Sequence, residues 1–162
     1  MKYNKEEKKP EEEKVFKIMN SNIKVDLVPY VKELMKKNPA LKVFIGSDSQ
    51  NSGRNTTYAT VLVFHNNHGG HVIYNKEIVP IVRDRFTRLW MEVERSISIA
   101  NKLRDSGVEN IDCIDLDYNP NPKFFSNKLL DPAVGYVRAS GYTPRWKPMS
   151  VYASIVADKI CK

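Results

Sequence analysis

Cysteine is scarce: Cys113 and Cys161 are the only two among 162 residues. Two thiols so placed make neither a disulfide framework nor a CxxC metal site, and both read as reduced packing residues. No apolar run reaches the length of a membrane span, and the start, MKYNKEEKK, holds no apolar signal region. The expected location is therefore the cytoplasm, with no membrane partner. Histidine is limited to His65, His68 and His71, spaced three apart around one turn. A zinc site needs a fourth ligand that neither cysteine supplies nearby, and no Ser/His/Asp triad can be argued from one cluster. No Walker loop, dinucleotide fingerprint or internal repeat occurs. What is there is a chain 41% hydrophobic and 28% charged, enough for one domain with a real core.

The net charge is +7. Residues 2 to 14 carry five lysines and five glutamates, which cancel, so the whole excess falls on residues 15–162. Residues 1–14 lack apolar content and are expected to be a solvated charged tail, with residues 15–162 forming one domain. A basic domain suits a polyanionic partner.

Ile23, Leu27, Val31 and Leu34 recur at helical spacing, with Ser21, Asn22 or Asp26 as cap, and Asn38-Pro39 stops that helix. LKVFIGSDSQ (41–50) reads as a buried strand ending at Asp48, followed by a polar loop over Asn51–Asn55. Thr57–His65 and His71–Val79 are rich in β-formers and are joined by Asn66-Asn67-His68-Gly69-Gly70, which predicts a three-stranded antiparallel meander. Phe86, Leu89, Trp90, Val93, Ile97, Ala100 and Leu103 form one apolar helical stripe, with Asp84 as cap and Gly107 as stop. Ile111–Asp117 is a fourth strand, and the helix between makes its pairing a parallel crossover. A broken helix follows, Ser126–Leu130 with a restart at Asp131-Pro132, ending at Gly141. Tyr142–Lys147 is a fifth, edge strand, and Ser150 caps a last helix to about Cys161.

The carboxylates carry the functional signal. Side chains alternate on a strand, so Phe44, Gly46 and Asp48 share one face. Read alone, Asp48 opens a turn. Read with the later elements, it gains partners. Asp117 lies near the end of strand four, and Asp115, of the same parity, is the reserve. On the long helix Glu92 leans toward the core face and sits in the second turn, with Glu94 as reserve. Asp158 shares a side of the last helix with Val151, Ser154 and Ile155. Four acidic residues from four elements suit hard divalent ions, Mg²⁺ or Mn²⁺, and two such ions support phosphodiester hydrolysis. Asp48, the most central, is the expected bridging ligand.

These residues carry a resemblance. IGSDSQ (45–50), the hairpin to Gly69-Gly70, RLWMEVERS (88–96), DLDYNPNPKFFSNKL (115–129), VGYVRASGY (134–142) and ASIVADK (153–159) resemble the YkuK family of ribonuclease H-like proteins. That resemblance implies an α/β ribonuclease H-like fold. Its expected form is a five-stranded mixed sheet, three antiparallel strands then parallel strands, flanked by helices and with an extra N-terminal helix. It also implies Asp48, Glu92, Asp117 and Asp158 as metal ligands and catalytic residues. The ending VAD resembles the last acidic motif of Holliday-junction resolvases in the same superfamily. Arg83, Arg85, Arg88, Arg145, Lys147 and Lys159 are candidates for phosphate contact, and Arg138 and Trp146 join that basic patch. The expectation is a two-metal nuclease acting on RNA, an RNA/DNA hybrid or structured DNA. The alternatives are a non-catalytic nucleic-acid-binding module, or an interaction protein whose carboxylates only satisfy nearby Arg and Lys.

Overall fold

The computed structural model describes residues 14–149 and 152–162. The expected cap Ser150, the helix neighbour Val151 and most of the charged tail lie outside the described residues.

The long hairpins dominate the architecture. β3 (Lys42–Ser52), β4 (Asn55–Asn66) and β5 (Gly69–Pro80) form the antiparallel meander that the β-formers predict. Their turns are two residues long, Ser52 pairing with Asn55 and Asn66 with Gly69. Gly53 has φ 58°, the left-handed conformation that a tight hairpin needs at its first central position. The segment expected to be a polar loop is thus strand except for the turn at Gly53 and Arg54. Asp48 consequently lies in mid-strand, not at the strand's end.

Two short strands, β1 (Phe16–Ile18) and β2 (Lys24–Val25), precede α1 (Leu27–Lys37). β1 pairs antiparallel with the free edge of β5. After α2 (Arg85–Asp105), β6 (Cys113–Asp115) lies parallel to β3, and β7 (Pro144–Arg145) lies parallel to β6 at the sheet edge. Among the described residues the sheet therefore has seven strands in the order β2-β1-β5-β4-β3-β6-β7, not five. The two added strands and α1 replace the simple leading helix that the sequence suggested. Strand four is also shorter than expected, three residues in place of Ile111–Asp117.

α3 runs unbroken from Asn127 to Ala139 with Pro132 inside it. The expected restart at Asp131 does not occur. Tight three-residue bonds from Asn127, Lys128 and Leu129 open the helix, and Pro132 follows soon after, where its missing N–H costs one internal bond. α2 begins as predicted, with Asp84 Oδ2 accepting hydrogen bonds from the Thr87 N–H and hydroxyl at 2.7 and 2.6 Å.

Alternation along β3 sorts the two faces. Val43 and Ile45 join Leu62, Phe64, Val93, Ile97 and Ile114 in the larger core under α1, α2 and α3. Phe44 joins Ala59, Val61 and Val63 under α4 (Tyr152–Cys161), which supplies Ala153, Ala157 and Cys161. Ile45, Leu62 and Ile114 are fully buried, each contributing about 1.5–3 kcal/mol relative to an exposed position. Helices on both faces of a mixed sheet leave one gap, where β6 stops beside β3.

Candidate active site

β6 makes its last pairing with β3 at Asp115, opposite Gly46. Beyond that point β3 keeps β4 on one side and, among the described residues, has no strand on the other. Asp48 stands two residues into this gap, and the same register carried two residues further sets Asp117 beside it. Crevices outside the carboxyl ends of parallel strands are where open α/β sheets hold ligands.

Gly46 lets α4 approach this point. A Cβ there would stand 2.8 Å from the Ser154 nitrogen and 3.0 Å from Ala153. Farther along, Cys161 Sγ donates to the Asp48 carbonyl at 3.1 Å. Burial pushes that thiol up to about 12, so it stays neutral. Pinned at both ends, α4 brings Asp158 close enough for its charge to act on the Asp48 carboxyl. The Asp48 pKa rises to about 6, chiefly because it is buried, with added repulsion from Asp117 and Asp158 and partial relief from the Ser49 N–H at 2.8 Å. Asp158 is held below the usual carboxylate range by Lys162, whose ammonium is 2.7 Å away.

Glu92 reaches the gap from the opposite face. It is 3% exposed. Its Oε1 accepts the Ser49 hydroxyl hydrogen bond at 2.5 Å, and Arg88 donates to the Ser49 carbonyl and hydroxyl oxygens, both at 3.0 Å. Burial and the charges of Asp48 and Asp117 still raise the Glu92 carboxyl well above its ordinary value. Glu94, the reserve, points outward and is exposed. A narrow crevice lined by Ser47, Glu92, Ser96, Asp117 and Tyr118 lies between α2 and the end of β6. The Tyr118 hydroxyl donates to the Leu89 carbonyl, and burial with the surrounding carboxylates raises its phenol.

Asp117 sits half-buried, paired with Lys147 at 3.0 Å. Asp115 is engaged elsewhere. Arg145 donates Nε and Nη2 to its two oxygens at 2.8 and 2.9 Å, and the Ala153 N–H at the start of α4 donates at 2.8 Å. Burial raises the Asp115 carboxyl despite that guanidinium. The reserve carboxylate is thus a rivet joining β6, β7 and α4.

The four carboxylates therefore act on one another's charge around Asp48. Among the described residues, however, no group of three or more His, Cys, Asp or Glu side chains is gathered to hold a metal ion. The donor set fits a hard divalent ion in kind: every donor is a carboxylate oxygen, and the raised Asp48 pKa marks negative charge without full compensation. Lys147 and Lys162 are 51% and 64% exposed, so their pairs with Asp117 and Asp158 are solvent-screened and weak beside a bound divalent cation.

A family model described as Ribonuclease H-like matches residues 26–162. The chain belongs to the ribonuclease H-like family. β1 and β2 precede the matched stretch. Searches of curated proteins and of solved structures returned no match.

The basic candidates divide. In this ribonuclease H-like protein Arg83, Arg85 and Lys159 are exposed. Arg145 is not available to phosphate: it is committed to Asp115 and stacked over Phe44 at 4.2 Å. Arg88 likewise serves Ser49. Lys147 is bound to Asp117, Arg138 is exposed, and Trp146 packs against the core. His71 contacts Tyr30 and His65 stacks on Tyr152, so the histidines do not assemble as a metal site. Sequence reading passed over Ser49 and Gly46. The signal was present in polar Ser47 and Ser49 alternating through an apolar strand toward α2.

Among the described residues, no helix is long and apolar enough to cross a membrane.

Proposed function

We propose that this protein is a divalent-metal-dependent nuclease, hydrolysing phosphodiester bonds of RNA, an RNA/DNA hybrid or structured DNA. The observation that carries the reading is the placement of carboxylates from β3, α2, the end of β6 and α4 around the gap where β6 stops beside β3, with Glu92 buried in its wall and held by Ser49. Asp48, Glu92, Asp117 and Asp158 would hold two Mg²⁺ or Mn²⁺ ions, whose chemistry is to activate a water and stabilise the leaving oxygen.

The chain's own residues set the conditions for that. Arg88 fixes Ser49, and Ser49 fixes the Glu92 carboxyl, so one donor is oriented before any ligand arrives. Lys147 and Lys162 neutralise Asp117 and Asp158 in the resting protein, and release of either leaves an ammonium free to meet phosphate. Exposed Arg83, Arg85 and Lys159 add sequence-independent attraction for the backbone. Because the Asp48 carboxyl titrates near 6, protons compete with the cation and activity falls below that pH.

The test is hydrolysis of a labelled panel of single-stranded, hybrid and branched substrates with Mn²⁺ or Mg²⁺. Wild type cleaves at least one substrate and Asp48→Asn none; cleavage unchanged in Asp48→Asn sinks the reading. A second reading, a non-catalytic nucleic-acid-binding module, is favoured by the lysine pairs on Asp117 and Asp158. It predicts salt-sensitive binding without turnover, with Asp48→Asn binding as well as wild type or better.

A further inference from the structure

An aromatic ladder crosses the surface at the start of α2. Phe86 and Trp90, one turn apart, stack with centroids 6.2 Å apart and planes 7° from parallel. Trp90 stacks in turn on Tyr136 of α3 at 5.5 Å and 19°. Trp90 is the half-buried root, packed on the core, whereas Phe86 is 49% and Tyr136 36% exposed. The apolar stripe of α2 thus runs out onto the surface at its first turn. Phe124, 54% exposed, and Phe125 extend the aromatic area from the segment before α3. Arg85 lies over the Phe125 ring at 4.5 Å and Lys128 at 5.6 Å.

Large rings exposed side by side mark an interaction surface. Charge selects the partner. The stretches 83–90 and 121–138 hold six cations, Arg83, Arg85, Arg88, Lys123, Lys128 and Arg138, against only Asp84 and Asp131. Asp84 is turned back onto Thr87 as the helix cap. Bases stack on aromatic faces while cations hold the backbone, which is how single strands are bound without regard to sequence. A duplex buries its base faces and cannot use them. On the far side of Tyr136 a groove carries Glu94 and Asp105 beside Lys102, so the cationic side of the ladder is the one toward the N-terminal end of α2.

We propose that the Phe86–Trp90–Tyr136 ladder is a stacking platform for the bases of a single-stranded nucleic acid, with Arg83, Arg85 and Lys128 on its phosphates. It deepens the nucleic-acid reading above by naming the strand form, and rests on that reading only for the partner's class. Phe86 lies six residues from Glu92, about 9 Å along the helix axis and about 120° around it, so the ladder shares the N-terminal half of α2 with that carboxylate but not its face.

The test uses the full chain in EDTA, where no turnover occurs, with labelled oligo-dT and an abasic oligonucleotide of the same length, read by fluorescence anisotropy. Wild type binds oligo-dT about tenfold more tightly than the abasic strand. Phe86→Ala loses most of that preference with its affinity for the abasic strand unchanged, and Phe86→Tyr keeps it. Circular dichroism confirms that each variant is folded. Asp48→Asn binds oligo-dT at least as well as wild type, so loss of cleavage and loss of stacking are separate results and either reading can fail alone. Equal binding of the two strands by wild type, or a parallel loss on both in folded Phe86→Ala, overturns the platform.

Discussion

Replacing Asp48 by asparagine should stabilise the metal-free protein at neutral pH. The folded carboxyl titrates near 6 against an ordinary value of 3.8, and each tenfold difference in proton affinity is worth about 1.4 kcal/mol. A raised carboxyl pKa means that the native state holds the proton more tightly than the unfolded chain. Stability from this group is therefore full below pH 3.8 and is lost as pH rises through 6. Above that window the ionised side chain costs at most about 3 kcal/mol, and residual hydration reduces the expected figure to about 1–3 kcal/mol. Asparagine keeps the shape, can still accept from the Ser49 N–H, and carries no charge. Urea unfolding in EDTA at pH 7.5 should show Asp48→Asn more stable by that amount, with the difference vanishing near pH 4. Saturating Mn²⁺ should then stabilise wild type and leave the variant unmoved, a gain of about 1.4 kcal/mol at ten times the dissociation constant. An Asp48→Asn protein that is equally or less stable than wild type at pH 7.5 would refute the idea that these carboxylates are held together against their charge.

Arg145→Ala leaves Asp115 buried without its partner, the two side chains being 13% and 0% exposed. It should cost about 3–5 kcal/mol in urea unfolding at pH 7, less at low pH where Asp115 is protonated, and a loss under about 1 kcal/mol would show that the pair does not hold β6, β7 and α4 together. Gly46→Ala places a methyl 2.8 Å from the Ser154 backbone nitrogen; α4 must shift, with a loss of about 1–3 kcal/mol in the same assay and a fall in metal-dependent cleavage as Asp158 leaves Asp48. Unchanged stability would mean that α4 does not need the close approach.

Where the candidate carboxylates sit could in part be read from residue order, for physical reasons that differ by element. Asp48 and its face follow from alternation along an apolar strand, and Glu92 over Glu94 follows from helical arithmetic, because burial of a stripe fixes rotation. The choice between Asp115 and Asp117 could not be read that way. Both share parity, and what separates them is Arg145, which reaches Asp115 across a pairing between segments 30 residues apart. The extension of β3 past Asp48 was hidden because Gln50-Asn51-Ser52-Gly53 has loop composition, yet β4 offers a continuous partner that overrides it. β1 and β2, three and two residues long, are too short to announce themselves, and they form by adding to an edge that β5 leaves open. Phe86 belongs to the apolar stripe of α2 by spacing, but the helix outruns the sheet that would cover its first turn. Tertiary partners decided each of these.

The central claim is that Asp48, Glu92, Asp117 and Asp158 close around divalent cations. Anomalous diffraction from crystals grown with Mn²⁺ tests it most directly. Two Mn²⁺ peaks among these four side chains, with Lys147 and Lys162 displaced from Asp117 and Asp158, are the expected result. No peak there at millimolar Mn²⁺, with both lysine pairs intact, would contradict it.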